Sequence, residues 1–271
     1  MCAASCPQMV TGSDLLLVVT PSKAVREVAS RLFAAELCGQ AVLLSCTKGV
    51  ERGSGLRMSE ILTEYFPGNP VAVLSGPSHA EEVARKRPTC VVLGCKDTEV
   101  AQRLQRAFSS PSFRAYTNDD VAGIELGGAL KNIYALAAGV CDGLGLGDNA
   151  KAALVTRALV ELGRLGGALG GKPATFMGLS GVGDLMVTCF SQHSRNRSVG
   201  ERLGKGEQLS SIVASMQMVA EGVPTTYSAY ECARRHNLEA PIIEQIKGIL
   251  DGNIGPAEAL ARLLGREPRP E

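Results

Sequence analysis

The sequence predicts an α/β protein in two parts, a doubly wound parallel sheet followed by an all-helical region. Two observations support this prediction. Short apolar runs alternate with helix-like segments up to about residue 120, which is typical of strands buried on both faces of a parallel sheet. Beyond that point, apolar residues recur only at helical spacing. We therefore expect a sheet domain over residues 1–120 and a helical domain over residues 121–271.

Four apolar runs predict the strands of the sheet. They are DLLLVVT at 14–20, AVLLSCTKG at 41–49, PVAVLSGPS at 70–78 and TCVVLGC at 89–95. After the first run, Val25, Val28 and Leu32 recur at helical spacing, and further helices are expected near 57–65 and 97–108. Strands that alternate with helices are joined by crossovers, so neighbouring strands are expected to be parallel.

The second half of the chain predicts helices alone. The segments with helical spacing are KNIYALAAGV, NAKAALVTRALVELGRLGGAL, GDLMVTCF and TTYSAYECARR, followed by a helix opened by Pro241 and a last one over GPAEALARLLG. The glycine-rich stretch GLGLGDNA at 143–150 lies between helical segments and lacks the third glycine of Gly-x-Gly-x-x-Gly. We interpret it as a joint between two helices, with Asp148 or Asn149 capping the second.

Composition and charge exclude several classes of function. The chain has 271 residues, of which 28 are basic and 27 acidic, so its formal net charge is +1. This balance gives no electrostatic basis for binding nucleic acid or an anionic membrane surface. Aromatic residues make up 4% of the chain and tryptophan is absent, which argues against a stacking platform for single-stranded nucleic acid.

The nine cysteines predict neither a metal centre nor a disulfide framework. None forms a Cys-x-x-Cys pair, and His79, His193 and His236 lie away from any such pair. We interpret the cysteines as reduced thiols of a cytoplasmic protein. No apolar run reaches the ~18 residues of a membrane span, and the opening MCAASCPQMV lacks the cationic and apolar regions of a signal peptide.

Two polar segments follow neighbouring predicted strands. SGPSHAEEV at 75–83 places Ser78 and Glu81 in the spacing of a capping box, which predicts the start of a helix. Lys48 follows the preceding strand in a Thr-Lys-Gly turn. The carboxyl ends of parallel strands share one edge, where backbone N–H groups and a lysine could receive a phosphate or another ligand. Taken singly, the two segments are more often a structural turn and a solvated lysine, and their shared edge favours a site.

Three further polar groups need an explanation. Lys131 stands in the apolar stretch ELGGALKNIYALAAG at 125–139, where an amine either reaches water or is used chemically. In GDLMVTC, Asp184 and Thr188 are four residues apart and would share one face of a helix. SRNR at 194–197 offers two guanidinium groups around an amide, which suits a phosphate, although such a tetrad also suits a solvated turn.

In combination and in this order, these segments resemble the bacterial-type NAD(P)-dependent glycerol-3-phosphate dehydrogenases. The matching segments are TKG, SGPSHAEEV, ELGGALKNIYALAAGVCDGLGLGDNAKAALVTR, GLSGVGDLMVTC and SRNRSVGERLG, and the resemblance runs from about residue 14 to about residue 265. It implies a Rossmann-like domain followed by a helical substrate domain. The implied activity interconverts sn-glycerol 3-phosphate and dihydroxyacetone phosphate by hydride transfer with NAD or NADP, for glycerophospholipid synthesis. A homodimer is compatible with the resemblance.

The resemblance also implies roles for individual residues. Lys131 matches the catalytic lysine, which exchanges a proton with the C2 oxygen of the substrate. The implied substrate contacts are Lys48, Gly76, Ser78, Lys131, Asp184, Ser194, Arg195 and Asn196, and the implied cofactor contacts are Lys48, Ala80, Arg195, Val219 and Glu221. No metal is implied.

Physical chemistry agrees with the two central assignments. A lysine that exchanges protons near neutral pH needs a depressed pKa, which burial and a neighbouring cation such as Lys48 would supply to Lys131. Arg195 and Asn196 would hold the substrate phosphate, so that its binding energy positions the reacting carbon.

One departure from the family stands at the start of the chain. The family opens with a strand, a Gly-x-Gly-x-x-Gly turn and a helix, whereas the run at 14–20 resembles a later strand. The expectation is an N-terminally truncated Rossmann-like domain that lacks at least roughly 30 residues, with weakened cofactor binding. The choice between NAD and NADP is left open, because the strand end that reads the ribose belongs to the missing segment.

Two alternative functions stay open. One is a truncated, cofactor-deficient protein that acts as a binding or dimerising module. The other is a dehydrogenase of a different hydroxy acid, against which the SRNR segment argues, because a substrate without phosphate has little use for it.

Overall fold

The computed structural model describes residues 10, 12–35, 37 and 39–267. Its sheet has five strands in the order β1-β2-β3-β4-β5. Their bounds are Leu15–Val18, Val42–Ser45, Val71–Ser75, Thr89–Gly94 and Phe113–Asn118. β2 is buried throughout, as its continuous apolar run requires in a sheet that is covered on both faces. The predicted combination of a Rossmann-like sheet and a helical region is confirmed.

The prediction that all strands are parallel is wrong at one position. β1, β2 and β3 are parallel to one another, but β4 is antiparallel to β3. The cause is the short connection between them, whose only helix is α3 (Ala80–Ala84). The chain does not cross back over the sheet, so β4 starts beside the carboxyl end of β3 and runs in the opposite direction. β4 and β5 are joined by the longer helix α4 (Thr98–Phe108) and are parallel again.

The fifth strand was not predicted from the sequence. β5 reads FRAYTN, and only Ala115 in it is buried. It pairs with β4 alone, so it lies at the edge of the sheet, and an edge strand needs no continuous apolar run.

Two helices complete the part of the chain that holds the sheet. They are α1 (Val25–Phe33) and α2 (Met58–Tyr65), close to the predicted positions. Val25, Ala29 and Leu32 of α1 and Met58 and Ile61 of α2 share one apolar cluster with β1 and β2. The helices therefore cover the sheet by the faces that their apolar spacing predicts.

One long helix forms the centre of the helical region. This helix, α5 (Val121–Gly143), is buried over nearly its whole length and belongs to the largest apolar cluster. The helices that follow are α6 (Gly147–Ala168), α7 (Pro173–Phe176), α8 (Asp184–Phe190), α9 (Arg195–Gly204), α10 (Leu209–Ala214), α11 (Gly222–Arg235), α12 (Pro241–Leu250) and α13 (Pro256–Leu264). The last strand ends at Asn118, and the proposed domain boundary near residue 120 remains a prediction.

Four glycines bring α5 and α9 unusually close together. Gly139 and Gly143 lie one turn apart on α5, and Gly200 and Gly204 lie one turn apart on α9. A Cβ atom on Gly139 would overlap the carbonyl oxygen of Arg197, and one on Gly200 would overlap that of Leu136. The contact is therefore backbone against backbone, which only glycine permits.

The joint between α5 and α6 partly confirms its prediction. GLGLGDNA does connect two helices, but neither Asp148 nor Asn149 caps the second. α6 begins at Gly147 after Leu146, so both polar residues lie inside its first turn.

Neither a single membrane-spanning helix nor a metal-binding cluster is found among the described residues. None of their helices is long and apolar enough to cross a bilayer alone, and one bent pair, 173–190 with 195–204, meets the length and composition criteria. The same residues hold no group of three or more histidine, cysteine, aspartate or glutamate side chains suited to a metal. Of the cysteines, Cys2, Cys6 and Cys38 lie outside the described residues, and the six described ones are free thiols.

Candidate active site

The carboxyl ends of β2 and β3 meet the middle of α5. Lys48 follows β2, and its Nζ donates a hydrogen bond of 2.8 Å to the carbonyl oxygen of Gly76, which follows β3. The same Nζ lies 2.7 Å from Oδ2 of Asp184, at the start of α8. The predicted meeting of these two strand ends is therefore observed, and it includes a carboxylate from the helical region.

Lys131 points to the same carboxylate from the other side. Its Nζ donates to Asp184 Oδ1 and, at 2.7 Å, to Thr188 Oγ1. Lys131 is 6% exposed and Asp184 1% exposed, so this ion pair is shielded from water. Thr188 Oγ1 in turn donates to the carbonyl oxygen of Asp184 at 2.6 Å, which fixes both side chains on one face of α8 as their spacing predicts.

Burial and charge together set the pKa of Lys131 in the range of proton exchange. Burial lowers it most, Asp184 raises it, and Lys48 lowers it again, so that the pKa falls to about 8. For Asp184, burial acts to raise the pKa of the carboxyl. Lys131 and Lys48 outweigh this effect and hold the pKa below its ordinary value. The arrangement is a carboxylate shared by two amines, one of them buried.

Two glycines allow the backbones to come close enough for these contacts. A Cβ on Gly128 would overlap Ser75 Oγ and touch the Lys48 side chain, so the glycine lets α5 lie against the ends of β2 and β3. Gly76 has a φ of +118°, a conformation that a side chain would strain, and its own Cβ would lie 3.2 Å from the Cα of Val91.

The SRNR segment forms the start of α9, but its two arginines do not converge. Ser194 caps the helix by accepting from the backbone N–H of Arg197 at 3.2 Å. Arg195 is exposed and donates to the carbonyl oxygen of Val219 at 3.1 Å. Arg197 instead forms an ion pair with Asp142, 2.6 Å away. The idea of a clamp of two guanidinium groups is therefore wrong, since only Arg195 is open to a ligand.

Asn196 is buried and connects three elements of the helical region. Its Nδ2 donates to Asn132 Oδ1 at 2.9 Å, and its Oδ1 accepts from the backbone N–H of Gly222 at 2.8 Å. Asn132 follows Lys131 on α5, and Gly222 begins α11. The amide thus holds the segment after Lys131 against the start of α11.

The corner after β3 differs from its prediction. The expected capping box of Ser78 and Glu81 is absent, because α3 begins at Ala80 after His79. Ser78 Oγ donates to the carbonyl oxygen of Gly76 at 3.0 Å instead. Ala80 is exposed at the first position of α3.

Two of the five residues predicted to contact the cofactor, Val219 and Glu221, lie just before α11. The Val219 carbonyl oxygen accepts from Arg195, as described above. The Glu221 carboxylate accepts from the backbone N–H of Ser22 at 2.9 Å and from its Oγ at 2.6 Å. Ser22 follows β1, so this contact connects a third strand end to the helical region.

Three residues of the site were not singled out from the sequence. Asn132 carries the amide contact to Asn196, Ser22 holds Glu221, and the His193 ring lies 5.9 Å from that of His79. Asn132 is adjacent to Lys131 and could have been suspected for that reason. His193 is likewise adjacent to Ser194 and Arg195. Ser22 has no such signal, because its partner Glu221 is distant in sequence.

Comparison with known families decides the assignment of the chain. Residues 3–101 match the model of the N-terminal part of NAD-dependent glycerol-3-phosphate dehydrogenase, and residues 120–261 match the model of its C-terminal part. The chain belongs to this family. The resemblance noted from the motifs is confirmed.

Individual relatives agree with the family models. The glycerol-3-phosphate dehydrogenase [NAD(P)+] of Desulfitobacterium hafniense is 47% identical over 259 residues, which cover 96% of this chain and 73% of the relative. The protein of the same name from Oceanobacillus iheyensis is 50% identical, with 97% and 77% covered. The crystal structure of glycerol-3-phosphate dehydrogenase from Coxiella burnetii is 38% identical with a TM-score of 0.93, and covers 98% of this chain and 81% of its own.

Proposed function

We propose that this protein interconverts sn-glycerol 3-phosphate and dihydroxyacetone phosphate with NAD or NADP. The observation that carries the proposal is the Asp184 carboxylate between Lys131 and Lys48, in a chain of this family. Its relatives are named as glycerol-3-phosphate dehydrogenases that use NAD(P)+.

Lys131 is the proposed proton-transfer residue. A pKa of about 8 leaves both the amine and the ammonium form accessible near neutral pH. In the oxidative direction, the neutral amine accepts the proton of the C2 hydroxyl as hydride leaves C2. In the reductive direction, the ammonium group donates that proton to the carbonyl oxygen as hydride arrives. Thr188 and Asp184 keep the Lys131 Nζ in one position through both half-reactions.

The remaining cations suit the substrate phosphate. The exposed Arg195 guanidinium has one backbone partner, which leaves N–H groups for a phosphate oxygen. Lys48, Gly76, Ser78, Asp184, Ser194 and Asn196 are the other proposed substrate contacts. Of these, Ser194 and Asn196 also bind backbone or amide partners, so in addition to contacting the substrate they hold Arg195 in place.

The residues of this edge are compatible with a dinucleotide. The carboxyl ends of β1, β2 and β3 lie side by side, which is where α/β sheets receive their ligands, and Ala80 and Arg195 are exposed there. We propose that Lys48, Ala80, Arg195, Val219 and Glu221 contact the cofactor. NAD(P) supplies the hydride acceptor or donor when bound.

Replacement of Lys131 tests the proposed chemistry. Lys131→Met should reduce turnover by about 10²–10⁴-fold, because it removes the proposed proton donor and acceptor, while the circular dichroism spectrum stays unchanged. Lys205→Met, which removes an exposed lysine at the end of α9, is the matched control. Near-normal turnover in the Lys131 variant would exclude the assigned role.

A cofactor titration tests the enzyme class itself. Quenching or enhancement of NADH and NADPH fluorescence by the purified chain should reveal binding and also decide which dinucleotide is preferred. If neither binds, the dehydrogenase proposal fails, and a non-enzymatic substrate-binding module becomes the better interpretation.

Two coarser properties accompany the proposal. A homodimer is compatible with the family resemblance, and analytical ultracentrifugation of the purified chain would measure it. The cytoplasmic location expected from the sequence also stays a prediction, for which microscopy of the tagged chain is the direct measurement.

A further inference from the structure

The two histidines beside the site have no part in the chemistry described so far. His79 precedes α3 at the corner after β3, and His193 immediately precedes Ser194 and Arg195. Their ring centroids are 5.9 Å apart with an angle of 58° between the rings. The pair therefore joins the corner of the sheet to the loop that presents Arg195.

His79 has an unused hydrogen-bonding group. Its ring is half-buried, and its Nε2 is buried without a hydrogen-bond partner among the described residues. A buried ring nitrogen without a partner costs free energy that a bound ligand can recover. Such an atom at the edge of a ligand site indicates a group that is completed only when the site is filled.

The charges around His79 indicate what kind of ligand atom completes it. Lys131 on α5 and Asp184 on α8 both act on its charge, as do Glu81 and Glu82 on α3, the helix that follows it. Burial lowers the pKa of His79 most, and Lys131 lowers it further, against the opposite effect of the three carboxylates. His193 and Arg195, together with His79 itself, act on Glu81 in turn. Asp184 is already paired with Lys131 and Lys48. The exposed Arg195 guanidinium bonds a backbone carbonyl and keeps further N–H groups for an anionic ligand, despite the neighbouring Glu81 and Glu82.

We propose that His79 is a ligand-binding residue of this site, whose Nε2–H donates to an anionic phosphate oxygen while the His193 ring packs against it. The inference rests on the proposed function, which supplies ligands with such oxygens. The phosphate comes either from the substrate monoester or from the dinucleotide pyrophosphate, and the experiment has one arm for each. An anion beside the imidazole favours its charged form, so binding raises the pKa of His79.

The small number of histidines makes a direct measurement practical. The chain contains only His79, His193 and His236, so a ¹⁵N-labelled sample gives three imidazole spin systems in a long-range nitrogen–proton spectrum. His79→Phe and His193→Gln assign two of them by the loss of their signals. His236, which is exposed at the end of α11, is the internal control.

Titrations with glycerol 3-phosphate, NADH and inorganic phosphate would be followed from pH 5.5 to 8.5. We expect the titration midpoint of the His79 imidazole to move to higher pH when the ligand that carries the contacting phosphate saturates the site. The titration midpoint of the His236 imidazole should stay constant. Calorimetry should show that His79→Phe weakens the same ligand about tenfold, the usual effect of losing a hydrogen bond to a charged group. His236→Gln should leave that affinity unchanged.

The possible results separate the inference from the function on which it rests. If glycerol 3-phosphate and NADH bind by calorimetry but the His79 midpoint stays constant with each, the inference is wrong and the proposed function stands. If neither ligand binds, both are wrong. If the His79 titration midpoint rises with only glycerol 3-phosphate or only NADH, that ligand is the source of the phosphate. A rise with inorganic phosphate as well supports the same contact.

Discussion

The shared carboxylate makes the protonation of Lys131 measurable through the rate. Because the pKa of Lys131 is lowered to about 8, oxidation of glycerol 3-phosphate should increase as the pH rises through about 8, since it needs the neutral amine. Reduction of dihydroxyacetone phosphate should decrease over the same range, since it needs the ammonium form. Profiles of kcat/KM against pH in both directions report the pKa in the free enzyme. Profiles that show no transition between pH 7 and pH 9 would contradict this prediction.

A neighbouring substitution checks that the transition belongs to Lys131. Asp184 raises the pKa of Lys131, so Asp184→Asn should move the transition to lower pH. The variant should also be less stable, because it leaves Lys131 and Lys48 beside each other without a counter-charge. Asp148→Asn, at an exposed position in the first turn of α6, should leave the profile unchanged.

At the scale of the residue, sequence reasoning found the charged groups but not all their partners. The isolated lysine in an apolar helix and the spacing of Asp184 and Thr188 are local signals, and the three side chains do meet. The contact between Ser22 and Glu221 spans 199 residues, so no local pattern announces it. Arg197 is paired with Asp142, which belongs to a different helix and is equally invisible to a local pattern.

The glycines between α5 and α9 predict a large effect of a small side chain. Gly200→Ala should lower the free energy of unfolding by about 2–3 kcal/mol, because the added methyl group overlaps the carbonyl oxygen of Leu136 and the two helices must separate. Chemical denaturation monitored by circular dichroism measures the change.

A helical glycine with free space around it is the matched control. Gly163 lies inside α6, and a Cβ there would meet no atom within 4 Å. Gly163→Ala should therefore raise the free energy of unfolding by up to about 1 kcal/mol, the helix propensity difference. Equal effects of the two substitutions would mean that propensity, not packing, decides both.

The start of α12 depends on a carboxylate from another helix. Ala240 precedes this helix and offers no capping side chain, whereas Glu161 on α6 accepts from the backbone N–H groups of Ile242 and Ile243, each at 3.0 Å. Glu161 is buried, and burial raises its pKa to about 7 despite these two hydrogen bonds.

This raised pKa predicts a pH dependence of stability. Between the ordinary glutamate pKa of 4.5 and the raised pKa of about 7, the folded chain binds a proton that the unfolded chain has released. Stability from this group is therefore greatest below pH 4.5 and declines by up to about 3 kcal/mol as the pH rises to 7. Glu161→Gln should remove this decline in urea denaturation, and the exposed Glu258→Gln should retain it. A decline of equal size in both variants would show that other groups cause it.

At the scale of the element, apolar runs predicted four of the five strands and the long helices. The apolar runs did not predict β5, because this edge strand has only one buried residue. They also did not predict that β4 is antiparallel to β3. Strand direction depends on whether the connection crosses the sheet. The connection through the five residues of α3 does not cross it, and the apolar pattern contains no signal for this.

Several polar contacts join the sheet to the helical region across the whole molecule. Lys48 reaches Asp184, Ser22 reaches Glu221, and Glu125 on α5 accepts from the backbone N–H of Ser59 at 2.9 Å. The two-part organisation was visible in the sequence, because the apolar spacing changes near residue 120. The contacts between the parts were not, since each joins residues from different elements.

One of these contacts can be removed with little disturbance of packing. Ser22→Ala retains the Cβ that lies against Gly49 and deletes only the hydroxyl that donates to Glu221 at 2.6 Å. The free energy of unfolding should fall by about 1 kcal/mol. Ser210→Ala, at an exposed position of α10, should change it by less than about 0.5 kcal/mol. No difference between the two variants would mean that water replaces the hydroxyl at Glu221.

Because the strand direction reverses between β3 and β4, the length of α5 before Lys131 determines where this lysine lies. β3 and β5 run in opposite directions, so their carboxyl ends lie at opposite ends of the sheet. The chain after β5 must therefore run the length of the sheet before Lys131 can reach the carboxyl end of β3. The ten residue steps from Val121 to Lys131 rise about 15 Å, which matches the length of a five-residue strand of roughly 16 Å. One residue inserted into this interval would advance the amine by about 1.5 Å and turn it by about 100° around the helix, away from Asp184. The number of helical residues between 121 and 131 therefore sets the position of the amine. This spacing is as much a part of the site as the lysine itself.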